Sequence, residues 1–357
     1  MVTALALVAG LAMLILGAEL LVRGASRLAA LTGIAPLVVG LTVVAIGTSA
    51  PELAVSARAA LRGQGDLALG NVIGSNIFNV LAILGLSALV TPLVVSQRLV
   101  RLDVPIVIGL SVLVLVLGLD GTLTRPEGLL LCAGGVAYTV FAIRESRREG
   151  VEVASEYGRQ FGVAFARPGR AAALSAGRVL VGLALLVAGA GWFLDGAVAL
   201  ARGLGISDLV IALTLVAAGT SLPEVAASIV AAFRGERDIA VGNVIGSNVY
   251  NILVILGVAV TLAADGIAVA PAVVAFDIPV MITVALACLP IFVTGYMITR
   301  WEGALFVGYY AAYTTYVILA SVQHDALPHF SATMLAYVLP LTAVTLLVVY
   351  VRAVRRR

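Results

Sequence analysis

Lysine is absent from this 357-residue chain, so all 22 basic residues are arginines, and cysteine and histidine occur only twice each. Two cysteines build no disulfide framework, and Cys132 and Cys288 both sit in apolar stretches where a packed, unpaired thiol is expected. Too few thiols and imidazoles remain to hold zinc, copper or iron. No apolar stretch carries a histidine beside a nucleophile, which argues against an intramembrane enzyme. Charge is scarce as well, at 11% of residues against 62% hydrophobic, and that balance excludes a soluble globular core. The net charge of +3 implies no nucleic-acid partner.

What is present instead is a series of apolar runs of about 20 residues, the length that crosses ~30 Å of hydrocarbon. Eleven can be drawn, at about 2–22, 35–61, 67–90, 99–119, 127–143, 177–195, 207–233, 239–263, 271–294, 303–322 and 332–351. We therefore expect an all-α polytopic membrane protein. The first run has no basic residue before it, so it is read as a retained span rather than a cleaved signal. With the N-terminus outside and eleven crossings, 18 arginines fall on the cytoplasmic side and 4 outside (Arg58, Arg62, Arg125 and Arg202), as the positive-inside rule asks. The basic C-terminus is then cytoplasmic, and the expected location is a cell inner membrane.

The stretch Ala45–Gly85 occurs again, 172 residues later, as Ala217–Gly257, with 26 of 41 aligned positions identical. GAELLVRGA near Gly17 echoes GAGWFLDGA near Gly189, and LDVP around Asp103 echoes FDIP around Asp277. The copies lie five crossings apart. Five is odd, so the second enters the bilayer from the opposite face, which makes the halves inverted repeats. The expected organisation is a first repeat of five spans (1–143), a cytoplasmic linker (144–176), a second repeat of five spans (177–322), and an extra span with a basic tail (323–357). Asp66, Asp103, Asp238 and Asp277, each near the start of a span, are read as helix-starting caps.

Each copy interrupts its apolar run twice, with GTSxPE and then GNVIGSNxxN. Polar groups in hydrocarbon are costly and mark functional sites. Pro51 lacks an amide hydrogen and crowds the carbonyl four residues back, so the helix should open near Ala45 to Thr48, and likewise near Ala217 to Thr220. Into each opening the sequence sets hydroxyls (Thr48, Ser49; Thr220, Ser221) and one carboxylate (Glu52; Glu224). Asn71, Ser75 and Asn79 are spaced four apart on one helix face, as are Asn243, Ser247 and Asn251. Gly70 with Gly74, and Gly242 with Gly246, form small-residue stripes that allow close helix packing. Hard oxygens suit sodium and calcium. Neither glutamate has a basic residue near it within its span, so a transported cation is the missing partner. An empty pair of ionised carboxylates is costly to carry through a closed intermediate, which couples movement to loading and points to antiport.

These motifs resemble the repeats of the calcium/cation antiporter superfamily, in its prokaryotic sodium/calcium exchanger branch. The resemblance implies ten core helices, inverted repeats and a central cation cluster. It assigns coordination to Glu52, Glu224, Thr48, Ser49, Thr220, Ser221, Ser75, Ser247, Asn79 and Asn251, with the carbonyls of Ala45 and Ala217. Calcium and sodium would be the transported ions, with no bound cofactor. Many members carry Asp where Asn251 stands here. Proton-coupled members tend to carry Glu near Ser75 and Ser247, and its absence favours sodium. A proton/calcium antiporter is the alternative on the same scaffold, and a passive cation channel is a weaker one.

Overall fold

The computed structural model describes residues 2–161, 169–206, 208–211, 214–215 and 217–355. With no water to satisfy their amides, the apolar runs close their hydrogen bonds within helices. In chain order these are α1 (Val2–Thr32), α2 (Pro36–Thr48), α3 (Ala50–Leu61), α4 (Gly65–Val90), α5 (Leu99–Gly118), α6 (Arg125–Phe161), α7 (Arg170–Gly203), α8 (Leu222–Phe233), α9 (Arg237–Leu262), α10 (Val273–Val293), α11 (Arg300–Ser321) and α12 (Leu327–Val348). Among the described residues nine helices are long and apolar enough to cross a membrane, and α2 with α3 makes a tenth, bent by 47°. The chain is an all-helical polytopic membrane protein with about ten candidate spans. The expected run 207–233 is described only in pieces, as Asp208–Ile211, Ala217–Gly219 and α8, because residues 207, 212, 213 and 216 lie outside the described set.

Several helices outrun the apolar stretches that foretold them. At 1.5 Å per residue the 31 residues of α1 reach about 46 Å, so it tilts or protrudes from ~30 Å of hydrocarbon. The expected linker is helical at both ends: α6 continues to Phe161 and α7 starts at Arg170 behind Gly169. Residues 162–168 of the linker lie outside the described set.

Repetition shows in the packing as well as in the chain. Gly10, Gly17 and Gly24 on α1, seven apart, match Gly182, Gly189 and Gly196 on α7, and the two helices lie antiparallel along this seam. A Cβ at Gly17 would stand 2.8 Å from the Gly182 carbonyl oxygen, and one at Gly189 2.9 Å from that of Gly10. Only glycine allows that approach. Two short clasps join the halves. β1 (Leu93–Val94), after α4, pairs antiparallel with β4 (Met297–Ile298), after α10, while β2 (Thr122–Leu123), after α5, pairs with β3 (Ile267–Ala268), after α9. Exchanging the halves turns one clasp into the other. Arg125 Nε likewise donates to the Ala263 carbonyl at 3.1 Å, and its counterpart Arg300 donates to that of Val90 at 3.4 Å. Each caps the carbonyl end of the other half's buried helix.

Helices α4 and α9 are the most enclosed spans, whereas no residue in the most apolar stretch of α12 is buried. α12 is held to the bundle by the Tyr309 hydroxyl, which donates to Thr342 Oγ1 at 2.6 Å, and by packing on α10.

Two expectations about local structure need correcting. None of the four aspartates makes a side-chain cap bond at its helix start. Asp103 is buried inside a continuous helical run, where its Oδ1 accepts from the Tyr138 hydroxyl at 3.1 Å and its Oδ2 lies 3.7 Å from Arg98 Nε. Asp277 lies similarly against Tyr313, Tyr138's counterpart. Asp66 and Asp238 occupy the second helical position, behind Gln64 and Glu236. The glycine stripes also behave unequally. Cβ atoms at Gly242 and Gly246 would come within 2.7 Å and 2.4 Å of the Leu37 and Leu41 carbonyl oxygens, whereas among the described residues nothing lies within 4 Å of one at Gly70 or Gly74.

Candidate ion-binding site

Pro51 sits at the start of α3, and the chain turns at Ser49 (φ −80°, ψ 10°); Ser221, before Pro223, takes the same conformation (φ −88°, ψ 9°). This turn places Glu52 and Glu224 in the first turn of a helix, where the positive end of the backbone dipole favours an anion. The opening is smaller than expected. Ala45's carbonyl still accepts the Ser49 amide at 3.1 Å and has the Thr48 hydroxyl 3.4 Å away. Ala217 begins the short helix Ala217–Gly219, and its side chain lies outside the described set.

The two turns meet at the centre of the bundle. Ser49 Oγ donates to Glu224 Oε1 at 2.8 Å, and Ser221 Oγ donates to Glu52 Oε1 at 2.7 Å. Each carboxylate is therefore held by the hydroxyl of the opposite half, and the two acids are close enough to interact electrostatically. Ser247 Oγ lies 3.1 Å from Ser49 Oγ, and the Thr48 hydroxyl has Val44's carbonyl and Asn243 Oδ1 both at 3.1 Å as acceptors.

Side chains outside the expected ligand set hold the frame. Asn71 Nδ2 donates to Ser56 Oγ at 2.9 Å and to the Glu52 carbonyl at 3.3 Å, while Asn243 Nδ2 makes the same pair of contacts to Ser228 Oγ and Glu224. These bonds tie each glutamate's own helix to the neighbouring wall. Ser56 and Ser228 were missed, although each stands four residues after its glutamate in both copies.

Glu52 and Glu224 are each 1% exposed, yet the second oxygen of both, Oε2, has no partner. Buried and equally without a partner are Ser75 Oγ, Asn76 Oδ1, Asn79 Oδ1, Asn251 Oδ1 and Thr220 Oγ1. These oxygens belong to α3, α4, α8, α9 and the turn before α8, which pack on one another. Buried polar atoms are ordinarily satisfied. Buried, unmatched oxygens on the elements that carry two carboxylates have the chemistry that a hard cation requires. No arginine pairs with either glutamate among the described residues. Of the expected ligands, Ser49, Ser221 and Ser247 are joined to the acids by hydrogen bonds, Ser247 through Ser49, while Ser75, Asn79, Asn251 and Thr220 keep buried oxygens without a partner on elements that pack together.

A bundle of apolar helices enclosing such buried oxygens has the architecture of a membrane transporter of cations. The sequence profile of the sodium/calcium exchanger protein family matches residues 2–144 and 174–319, and the chain belongs to that family as a cation antiporter. The sodium/calcium exchanger MaX1 of Methanosarcina acetivorans is 34% identical over 339 residues, covering 87% of this chain and 96% of its own. The inner membrane protein YrbG of Escherichia coli is 38% identical over 253 residues, covering 70% and 77%. Among solved structures, the sodium-calcium exchanger NCX_Mj, soaked with sodium and calcium, superposes with a TM-score of 0.74 at 30% identity, covering 90% of this chain and 98% of its own. The family implies sodium and calcium as the transported ions.

Proposed function

We propose that the chain is a secondary active antiporter that exchanges sodium for calcium by alternating access across a cell inner membrane. One observation carries this reading: two fully buried carboxylates, each gripped through one oxygen by the opposite half, keep their other oxygen unpaired, with no arginine bonded to them among the described residues. Calcium, or sodium ions competing for the same oxygens, supplies the missing positive charge. MaX1 and NCX_Mj, both named as sodium/calcium exchangers, point the same way.

In this reading the halves are inverted repeats of five spans, 207–233 is a broken span, α12 is an appended eleventh, and the N-terminus is outside. The clasps support the parity. β1 and β4 follow the third and ninth spans and share the cytoplasmic face, whereas β2 and β3 follow the fourth and eighth and share the outer face. The cytoplasmic side is closed by α9 pressed onto α2 and by the ion pair of Glu19 with Arg234, while toward the outer side Gly70 is exposed and Gly74 half-buried.

The test is calcium uptake into proteoliposomes loaded with sodium. Uptake that follows the outward sodium gradient is expected. Uptake that follows an imposed pH gradient and ignores sodium would assign the coupling to protons.

A further inference from the structure

We infer that Asn248, which is not placed as an ion ligand, decides which end of the Asn79 amide faces the ions. This rests on the reading of Asn79 as a ligand. A carboxamide has an accepting oxygen and a donating nitrogen on opposite sides of one planar group, and a cation can use only the oxygen. Nothing in the volume or shape of the asparagine side chain chooses between them. The choice falls to the hydrogen-bond partner on the far side.

At Asn79 that partner is Asn248. Asn79 Nδ2 donates to Asn248 Oδ1 at 3.0 Å, which turns Asn79 Oδ1 toward the interior, where it is buried with no protein partner. Asn248 is itself held in orientation, because its Nδ2 donates to the Asn76 backbone carbonyl at 3.4 Å. A backbone carbonyl can only accept, so Asn248 must present its nitrogen there and its oxygen to Asn79. The chain of orientation therefore begins at an atom whose polarity is invariant and ends at a buried oxygen that no protein group uses. All three asparagines are no more than 2% exposed, so water cannot substitute for either bond. The relay crosses from the second half to the first. Its mirror image would run from Asn76 to Asn251, but Asn76 Nδ2 instead approaches Met281 Sδ at 3.6 Å, and Asn76 Oδ1 and Asn251 Oδ1 both lack a partner.

Removing the acceptor at position 248 leaves the Asn79 nitrogen buried and unsatisfied, and the amide is then free to rotate its N–H groups toward the cation. Asn248 is thus a positioning residue, and its loss acts on ion affinity through Asn79 alone. The experiment is a double-mutant cycle read as the calcium concentration for half-maximal sodium-dependent uptake, in proteoliposomes made from the full chain. Asn79→Ala and Asn248→Leu should each raise that concentration by about tenfold, the cost of one unmatched buried hydrogen-bonding group. The double variant should stay within about twofold of Asn79→Ala, since nothing remains to be oriented. Unfolding midpoints in detergent without calcium check that each variant folds. Asn248→Ser, too short to reach Asn79, replaces the leucine variant if that one does not fold. Additive losses, or an Asn248 variant that behaves as wild type beside a weakened Asn79→Ala, would overturn the inference and leave the antiporter reading standing. An Asn79→Ala variant with unchanged half-saturation would overturn the inference by removing Asn79 from the ion path, while sodium-driven uptake still scores the antiporter reading separately.

Discussion

The heptapeptide GNVIGSN occurs without a change at 70–76 and at 242–248, yet the two copies live in different surroundings. Gly242, Asn243 and Gly246 are all buried beneath α2, whereas Gly70 is exposed and Asn71 and Gly74 are half-buried. The heptapeptide itself cannot account for the unequal packing, so the difference lies in what faces each copy. In the proposed antiporter the converse arrangement would exchange the environments of the two halves. The proposed alternating access rests on that symmetry, because the converse arrangement would open the same pocket toward the opposite face.

The comparison breaks first at the feature that both halves share. Glu52→Gln and Glu224→Gln should each lower calcium transport by at least about a hundredfold, in line with the cost of removing one partner from a buried charge pairing. Detergent-solubilised protein of normal yield and size would show that the fold survives. A large loss in one variant beside near-normal flux in the other would mean that the halves do not share the ions equally.

A sharper probe exploits the inequality. In Gly246→Ala the added methyl would stand 2.4 Å from the Leu41 carbonyl oxygen, while in Gly74→Ala it meets nothing within 4 Å among the described residues. Such overpacking costs about 1–3 kcal/mol, a shift of roughly fivefold to a hundredfold or more in population. Hydrogen exchange of the amides in 36–44 should rise in Gly246→Ala and stay unchanged or fall in Gly74→Ala. Equal responses would mean that the glycine contacts do not distinguish two states.

The smallest effect is expected at the rim where α1 meets the loop between α8 and α9. Glu19 pairs with Arg23 and Arg234, and Ser26 Oγ donates to Glu236 Oε1 at 2.7 Å, tying α1 to the loop between α8 and α9. Partly exposed pairs contribute about 0–1 kcal/mol and are screened by salt. Glu19→Gln should therefore change transport rate by no more than about fivefold at low salt, and its difference from wild type should vanish near molar salt. A loss that persists there would require a role beyond the ion pair.

Much of this was legible in the residues because it depends on local chemistry. Pro51 and Pro223 announce the bends, Glu52 and Glu224 announce the site, and the offset of 172 announces the halves. What was not legible depends on partners distant in the chain. The clasps join two-residue segments too short to carry a strand signal, and Asp103 looks like a helix cap until folding sets Arg98 and Tyr138 against it. The roles of Ser56, Ser228 and Asn248 need the cross-helix geometry. The unequal fate of the two glycine stripes lies beyond any reading of sequence, since the residues concerned are identical.

The most direct measurement is anomalous diffraction from crystals of the protein grown with strontium, a heavier stand-in for calcium. The account predicts a peak between Glu52 and Glu224, at about 2.3–2.8 Å from carboxylate oxygens of both, allowing for an ion slightly larger than calcium. Transport-competent protein with no peak there, or with an arginine side chain occupying that space, would contradict it.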